Sequence, residues 1–146
     1  VGLIDEVGPG PVALDTAIFI YLIEEHPQYL RPVLPLFEAA DAGRRELATS
    51  GLTLLEVLVV PYRRRNLAIA ERYEVLLTRS RGVRLVELTR DQLRAAAQLR
   101  AASGAKTPDA LQIVAAMSAG CRTLVTDDRR MPQISGLRII QLSTVL

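Results

Sequence analysis

Short apolar segments alternate with longer helical ones along this chain, and that alternation constrains the fold more than any other feature. Residues 11–14, 46–49, 83–88, 123–126 and 137–142 have strand length and apolar or alternating character, and stretches with helical periodicity separate them. Strands divided by helices cannot pair as simple hairpins. Each must return by a crossover, which gives a mainly parallel central sheet with helices on both faces, a three-layer α/β/α arrangement. At 146 residues the chain has the size of one domain able to bury its own core.

Start and stop signals place the helices. Asp15-Thr16 lead into a helix over residues 17–25 that Pro27 ends, and a second helix over about 32–42 finds a cap in Gly43. Thr53 opens an apolar helix running to Val60, with Pro61 kinking or restarting it before Tyr62; residues 66–78 and 91–102 form two more, the latter stopped by Ser103-Gly104. Thr107 is the expected N-cap and Pro108 the first residue of a helix that is apolar all round, hence central, and closed by Gly120. Residues 1–10, with their Gly-Pro-Gly-Pro run, read as a flexible leader or cloning remnant ahead of a domain over 11–146. No basic-then-apolar signal pattern or membrane-length apolar run occurs, and the single Cys121 asks for no oxidising compartment, so the cytoplasm is the expected location, with no membrane partner.

Acids stand where these segments hand over to the next element. Asp15 follows Val12-Ala13-Leu14, Glu56 lies just beyond Leu47-Ala48-Thr49, Asp109 opens its helix, and Asp127-Asp128 follow Thr123-Leu124-Val125-Thr126. Taken singly, each has a structural explanation: a helix cap, a capping box between Thr53 and Glu56, a first-turn acid, a turn initiator. Capping does not require all of them at one edge of a sheet, where ligands of open α/β folds bind. Carboxylates gathered there repel one another, and an all-oxygen set without histidine or cysteine selects a hard cation, Mg²⁺ or Mn²⁺.

Other chemistries lack their residues. His26, the only histidine, sits in a helix-ending turn; no Gly-x-Ser-x-Gly elbow exists; the one lysine, Lys106, follows alanine and not a glycine loop. An aspartate-nucleophile phosphatase wants an acid or threonine two residues after Asp15, where Ala17 stands. Metal-assisted phosphodiester hydrolysis fits what remains. Its polyanionic substrate would meet Tyr62 with Arg63-Arg64-Arg65, and Arg129-Arg130, as phosphate contacts and a stacking ring, although charges at a helix end and a turn are equally explained by solvation.

Four stretches carry a resemblance: residues 14–24 starting Leu-Asp-Thr, Thr53-Leu54-Leu55-Glu56-Val57-Leu58, Thr107-Pro108-Asp109-Ala110-Leu111-Gln112, and residues 124–130 centred on Thr126-Asp127-Asp128. From about Val12 onward the chain resembles a PIN-domain ribonuclease, in particular the VapC-type toxins of type II toxin-antitoxin pairs. The resemblance implies a PIN-like α/β/α fold, Mg²⁺- or Mn²⁺-dependent endoribonuclease activity on RNA, a homodimer, and a cognate antitoxin whose C-terminal segment wraps the toxin. It makes Asp15, Glu56, Asp109 and Asp128 the catalytic acids, with Asp15, Asp109, Asp128 and Asp127 as metal ligands and Thr16 and Thr126 supporting them. Ala17 departs from the pattern, where many relatives carry asparagine. The main alternative is a catalytically idle PIN-like interaction domain whose acids serve as caps. Apolar residues around Tyr21-Leu22-Ile23, Leu36-Phe37 and residues 54–60 exceed what one face of each helix buries, so part of that surface is expected to stay exposed for dimerisation and for an antitoxin segment.

Overall fold

The computed structural model describes residues 2–145. Its five strands, β1 (Val12–Leu14), β2 (Leu47–Ser50), β3 (Val83–Val86), β4 (Thr123–Thr126) and β5 (Arg138–Gln141), form one all-parallel sheet in the order β3-β2-β1-β4-β5. Val12 stands beside Leu47 on one side and Thr123 on the other, and Leu14 beside Val125. The three central strands are buried along their whole length, as parallel strands covered on both faces must be.

Strand alternation divides the core in two. Val12, Leu14, Leu47 and Val125 face the layer made by α2 (Thr16–Ile23), α3 (Leu30–Asp41), α4 (Leu52–Arg63) and α5 (Leu67–Thr78). Ala13, Ala48 and Leu124 face the opposite layer of α6 (Arg90–Ser103) and α7 (Thr107–Ser118), where Ile113 and Ala116 of α7 lie against them. Alanines in the middle of β1 and β2 let α7 approach the sheet closely. Eight of the first ten residues of α7 are buried, which accounts for its lack of a polar face.

The expected elements are present, with shifts at their ends that follow from capping. Asp15 is the N-cap of α2 and Thr16 its first residue; Thr107 is the first residue of α7, the cap position falling to Lys106. Pro61 does not restart α4, which continues to Arg63, and α3 likewise continues through Pro35. Between α5 and β3 the chain turns at Gly82, whose φ of +76° and approach to the Ala40 carbonyl leave no room for a Cβ.

Ahead of β1 the described chain packs onto the domain. Leu3–Glu6 form a short helix, α1, that buries Leu3 and Val7 in the main core against α3. Arg45 donates to the carbonyls of Gly10 and Gly8, and Arg138 to the carbonyl and carboxylate of Glu6. Two arginines and two apolar side chains thus hold a segment whose glycines and prolines alone read as loose. The apolar surplus divides: Leu36, Phe37 and Leu58 are core residues, while Leu55, Val59 and Val60 stay exposed as expected for part of that surface. On one side of α4 the exposed Leu55, Val59 and Tyr62 form a stripe, continued by Leu67 at the start of α5.

No described helix is long and apolar enough to cross a membrane.

Candidate active site at the switch point of the sheet

From β1 the chain winds outward through β2 to β3, then crosses to the other side for β4 and β5. The reversal opens a crevice beyond the carboxyl ends of β1 and β4, the position where doubly wound sheets bind ligands. Asp15 leaves β1 at that point and Asp127-Asp128 leave β4. The first turn of α7, packed across β1, β2 and β4, brings Asp109 in from the opposite layer.

Asp15 is held from both sides. One carboxylate oxygen accepts from the Thr16 backbone N–H at 2.7 Å and the other from the Thr126 hydroxyl at 2.6 Å. Burial nevertheless raises its pKa against those two bonds, with the charges of Asp128 and Asp127 adding to the rise. The Asp109 carboxyl, 7% exposed, is pushed up to about 6, first by burial and then by the nearby carboxylates of Asp128 and Asp15, Arg130 opposing. A first-turn position ordinarily favours a negative charge through the helix dipole. Here burial and crowding outweigh it.

Asp128 moves the other way. The Arg130 backbone N–H donates to it at 2.9 Å and the Arg130 guanidinium sits at 3.4 Å, which holds its pKa below the usual carboxylate range although burial opposes. The turn is fixed by Thr126, whose hydroxyl accepts from the Asp128 N–H, and by Gln141 of β5, which donates to the Asp128 carbonyl. Asp127 accepts from the Tyr21 hydroxyl at 2.6 Å, and burial together with that bond raises the tyrosine's pKa.

Glu56 does not close a capping box. The helix starts earlier, with Gly51 as its N-cap, and Glu56 accepts instead from the Thr16 hydroxyl at 2.6 Å. It therefore joins the site through the residue next to Asp15. The charges of Asp127 and Asp128 act on Asp15 and those of Asp128 and Asp15 on Asp109, but among the described residues no three carboxylate, imidazole or thiol groups are arranged to grip one ion as they stand. The donor set still has the chemistry of a hard cation, carboxylate oxygens with no nitrogen or sulfur among them.

The two arginine groups fare differently. Arg130 is engaged by Asp128 and Arg129 is exposed. Tyr62, Arg63, Arg64 and Arg65 lie exposed where α4 turns into α5, with Arg63 about 10 Å along the helix axis from Glu56. Four residues bonded into or next to the site had no site role in the sequence: Thr49, Thr53, Gln112 and Tyr21. A glutamine in the middle of an otherwise apolar helix was the available signal for Gln112.

The family model of the PIN domain matches residues 12–137. The chain belongs to the PIN domain family. Comparison with curated proteins gives no match. Among solved structures, this PIN domain is similar to VapBC2 from Rickettsia felis bound to a promoter DNA fragment, with TM-score 0.67 and 19% identity over 90% of this chain and 98% of that one. A toxin-antitoxin complex from Klebsiella pneumoniae gives 0.65 and 20% over 90% and 97%; VapC20 of Mycobacterium tuberculosis, described as a sarcin-ricin loop cleaving toxin, gives 0.65 and 17% over 82% and 92%. At these identities the likeness is one of fold. This PIN domain has the fold of VapC-type toxins, and the match extends over nearly the whole of each.

Proposed function

We propose that this PIN domain is a metal-dependent endoribonuclease that hydrolyses RNA phosphodiester bonds, the toxin half of a toxin-antitoxin pair. The observation that carries the reading is the delivery of Asp15, Asp109 and Asp128 by the ends of β1 and β4 and the first turn of α7 to the crevice at the sheet's switch point, close enough for their charges to act on one another. Acids serving only as caps have no cause to be brought from two strand ends and an opposite-layer helix to one place. Asp15, Asp109, Asp128 and Asp127 are the residues that would hold Mg²⁺ or Mn²⁺. Bound there, such an ion supplies Lewis acidity and lowers the pKa of water.

The chain's own groups account for the rest. Thr126 and the Thr16 N–H orient Asp15, and Arg130 keeps Asp128 ionised at neutral pH. Glu56, with one oxygen taken by Thr16, has its other oxygen to accept a proton from attacking water. The arginines of the α4–α5 turn and Arg129 supply phosphate contacts, and Tyr62 a stacking face. Structural likeness to proteins described as toxin-antitoxin complexes supports a cognate antitoxin as partner, and the exposed α4 stripe supports a homodimer.

The catalytically idle alternative draws on one observation, that no three acids among the described residues are arranged to grip an ion as they stand. One experiment separates the two. Purified protein free of antitoxin is incubated with single-stranded and loop RNAs with Mg²⁺, with Mn²⁺, and with EDTA. Cleavage that EDTA stops and added metal restores is the expected result; intact RNA under all conditions, with the wild-type fold verified, overturns the nuclease reading.

A further inference from the structure

We propose that Gln112 is a positioning residue for Glu56, acting through the hydroxyl of Thr16. The inference rests on the catalytic role given to Glu56 above. Its basis is a buried polar network in which Thr16, Thr49, Thr53 and Gln112, from α2, β2, α4 and α7, are each 9% exposed or less.

Counting protons fixes the direction of every bond. A threonine hydroxyl has one hydrogen to give, a glutamine amide has two, and a carbonyl can only accept. The Gln112 amide oxygen accepts from the Ser50 backbone N–H at 3.1 Å, which sets the amide's orientation and turns its nitrogen toward the threonines. The Thr49 hydroxyl donates to the Leu14 carbonyl at 2.8 Å, with the Gln112 amide oxygen a more distant acceptor at 3.3 Å; with that hydrogen turned to these acceptors, Thr53 donates to Thr49 at 2.7 Å. The Gln112 nitrogen donates to Thr53 at 2.9 Å and lies 3.4 Å from the Thr16 oxygen. With its accepting side so faced, Thr16 has its own hydrogen for Glu56 at 2.6 Å.

Removing Gln112 would leave the Thr53 oxygen short of a donor 3.1 Å from Thr16. The Thr16 hydrogen would then have two competing acceptors, Thr53 and Glu56, and the carboxylate would lose its only described side-chain anchor. Among the described residues Gln112 makes no hydrogen bond to Glu56 or to any acid of the crevice, so the link proposed for it runs through Thr16.

The test is a double-mutant comparison read in RNA cleavage. Gln112→Met, close in shape and without donors, should lower kcat about tenfold with KM nearly unchanged, the size expected for a group that orients a reacting side chain. In a Glu56→Gln background the same change should cost nothing further. Thr16→Val should reproduce the loss and Thr16→Ser recover most of it; this pair decides the matter if Gln112→Met fails to fold. Equal losses in both backgrounds, or an unchanged kcat, overturn the proposal. If Glu56→Gln leaves cleavage untouched, or the wild type cuts no RNA, the assigned role of Glu56 fails, and the ¹³Cδ resonance of Glu56 becomes the readout. A shift of that resonance in Gln112→Met upholds the positioning link, and an unmoved resonance ends it.

Discussion

Asp109 shows how one side chain can be placed against its own interest. Its pKa of about 6 means that the native state holds the proton more tightly than the unfolded chain, whose carboxyl titrates near 3.8. The sign follows: for this group, metal-free protein is most stable below about pH 4 and loses stability as pH climbs toward 6. Asp109→Asn removes that loss. Its stability advantage over the wild type should grow from pH 4 to 6 and level off above, by at most about 3 kcal/mol, in denaturant titrations without metal. Asp15→Asn belongs with it, since burial and neighbouring charges raise that pKa too. Both variants should abolish RNA cleavage while the melting temperature holds or rises; a large fall in melting temperature with cleavage intact would mark the two acids as caps.

Short elements carry more than their length implies. The four residues of α1 contribute Leu3, 1% exposed, to the main core, so Leu3→Ala should cost about 2–4 kcal/mol in thermal or denaturant unfolding. A cost under about 0.5 kcal/mol would mean that the segment does not pack as described. The turn joining α4 to α5 is the opposite case, a charged surface that folding does not consume. Arg63, Arg64 and Arg65 are exposed and make no ion pair among the described residues. Replacing Arg63 and Arg64 by alanine should weaken binding of single-stranded RNA and flatten its salt dependence by roughly 0.7 in log-log slope per lost phosphate contact. Stability should be unchanged, and binding equal to wild type at every salt concentration would return these charges to solvation.

On the scale of the molecule, the core takes Leu36, Phe37 and Leu58 and leaves Leu55, Val59, Tyr62 and Leu67 outside, Leu55 62% and Leu67 68% exposed. Residues 55, 59 and 62 follow helical spacing, so they form one continuous stripe. A stripe of that kind on a monomer marks an interface, and a second copy of the chain is its expected occupant. Leu55→Glu with Val59→Glu should convert a dimer to a monomer in sedimentation at micromolar concentration without lowering the unfolding midpoint of the monomer. A wild-type monomer under those conditions would remove the stripe from consideration as a self-interface.

The alternation of apolar strand-length segments with helical periods was enough to read the parallel α/β class, since local hydrophobic spacing follows from backbone repeat. Acids at the handover points were legible for the same reason: Asp15 caps α2 and Asp109 sits in the first turn of α7, both local events. Strand order, by contrast, is a non-local choice. The crossing from β3 to β4 that lays β4 beside β1 is what puts Asp127 and Asp128 next to Asp15. Glu56 shows the limit: its spacing from Thr53 fits a capping box, but a helix beginning at Leu52 and a threonine 40 residues away draw the carboxylate elsewhere. The burial of Leu3 and the direction of the Gln112 network depend in the same way on partners distant in sequence, and no local pattern encodes a hydrogen bond whose acceptor arrives from another layer.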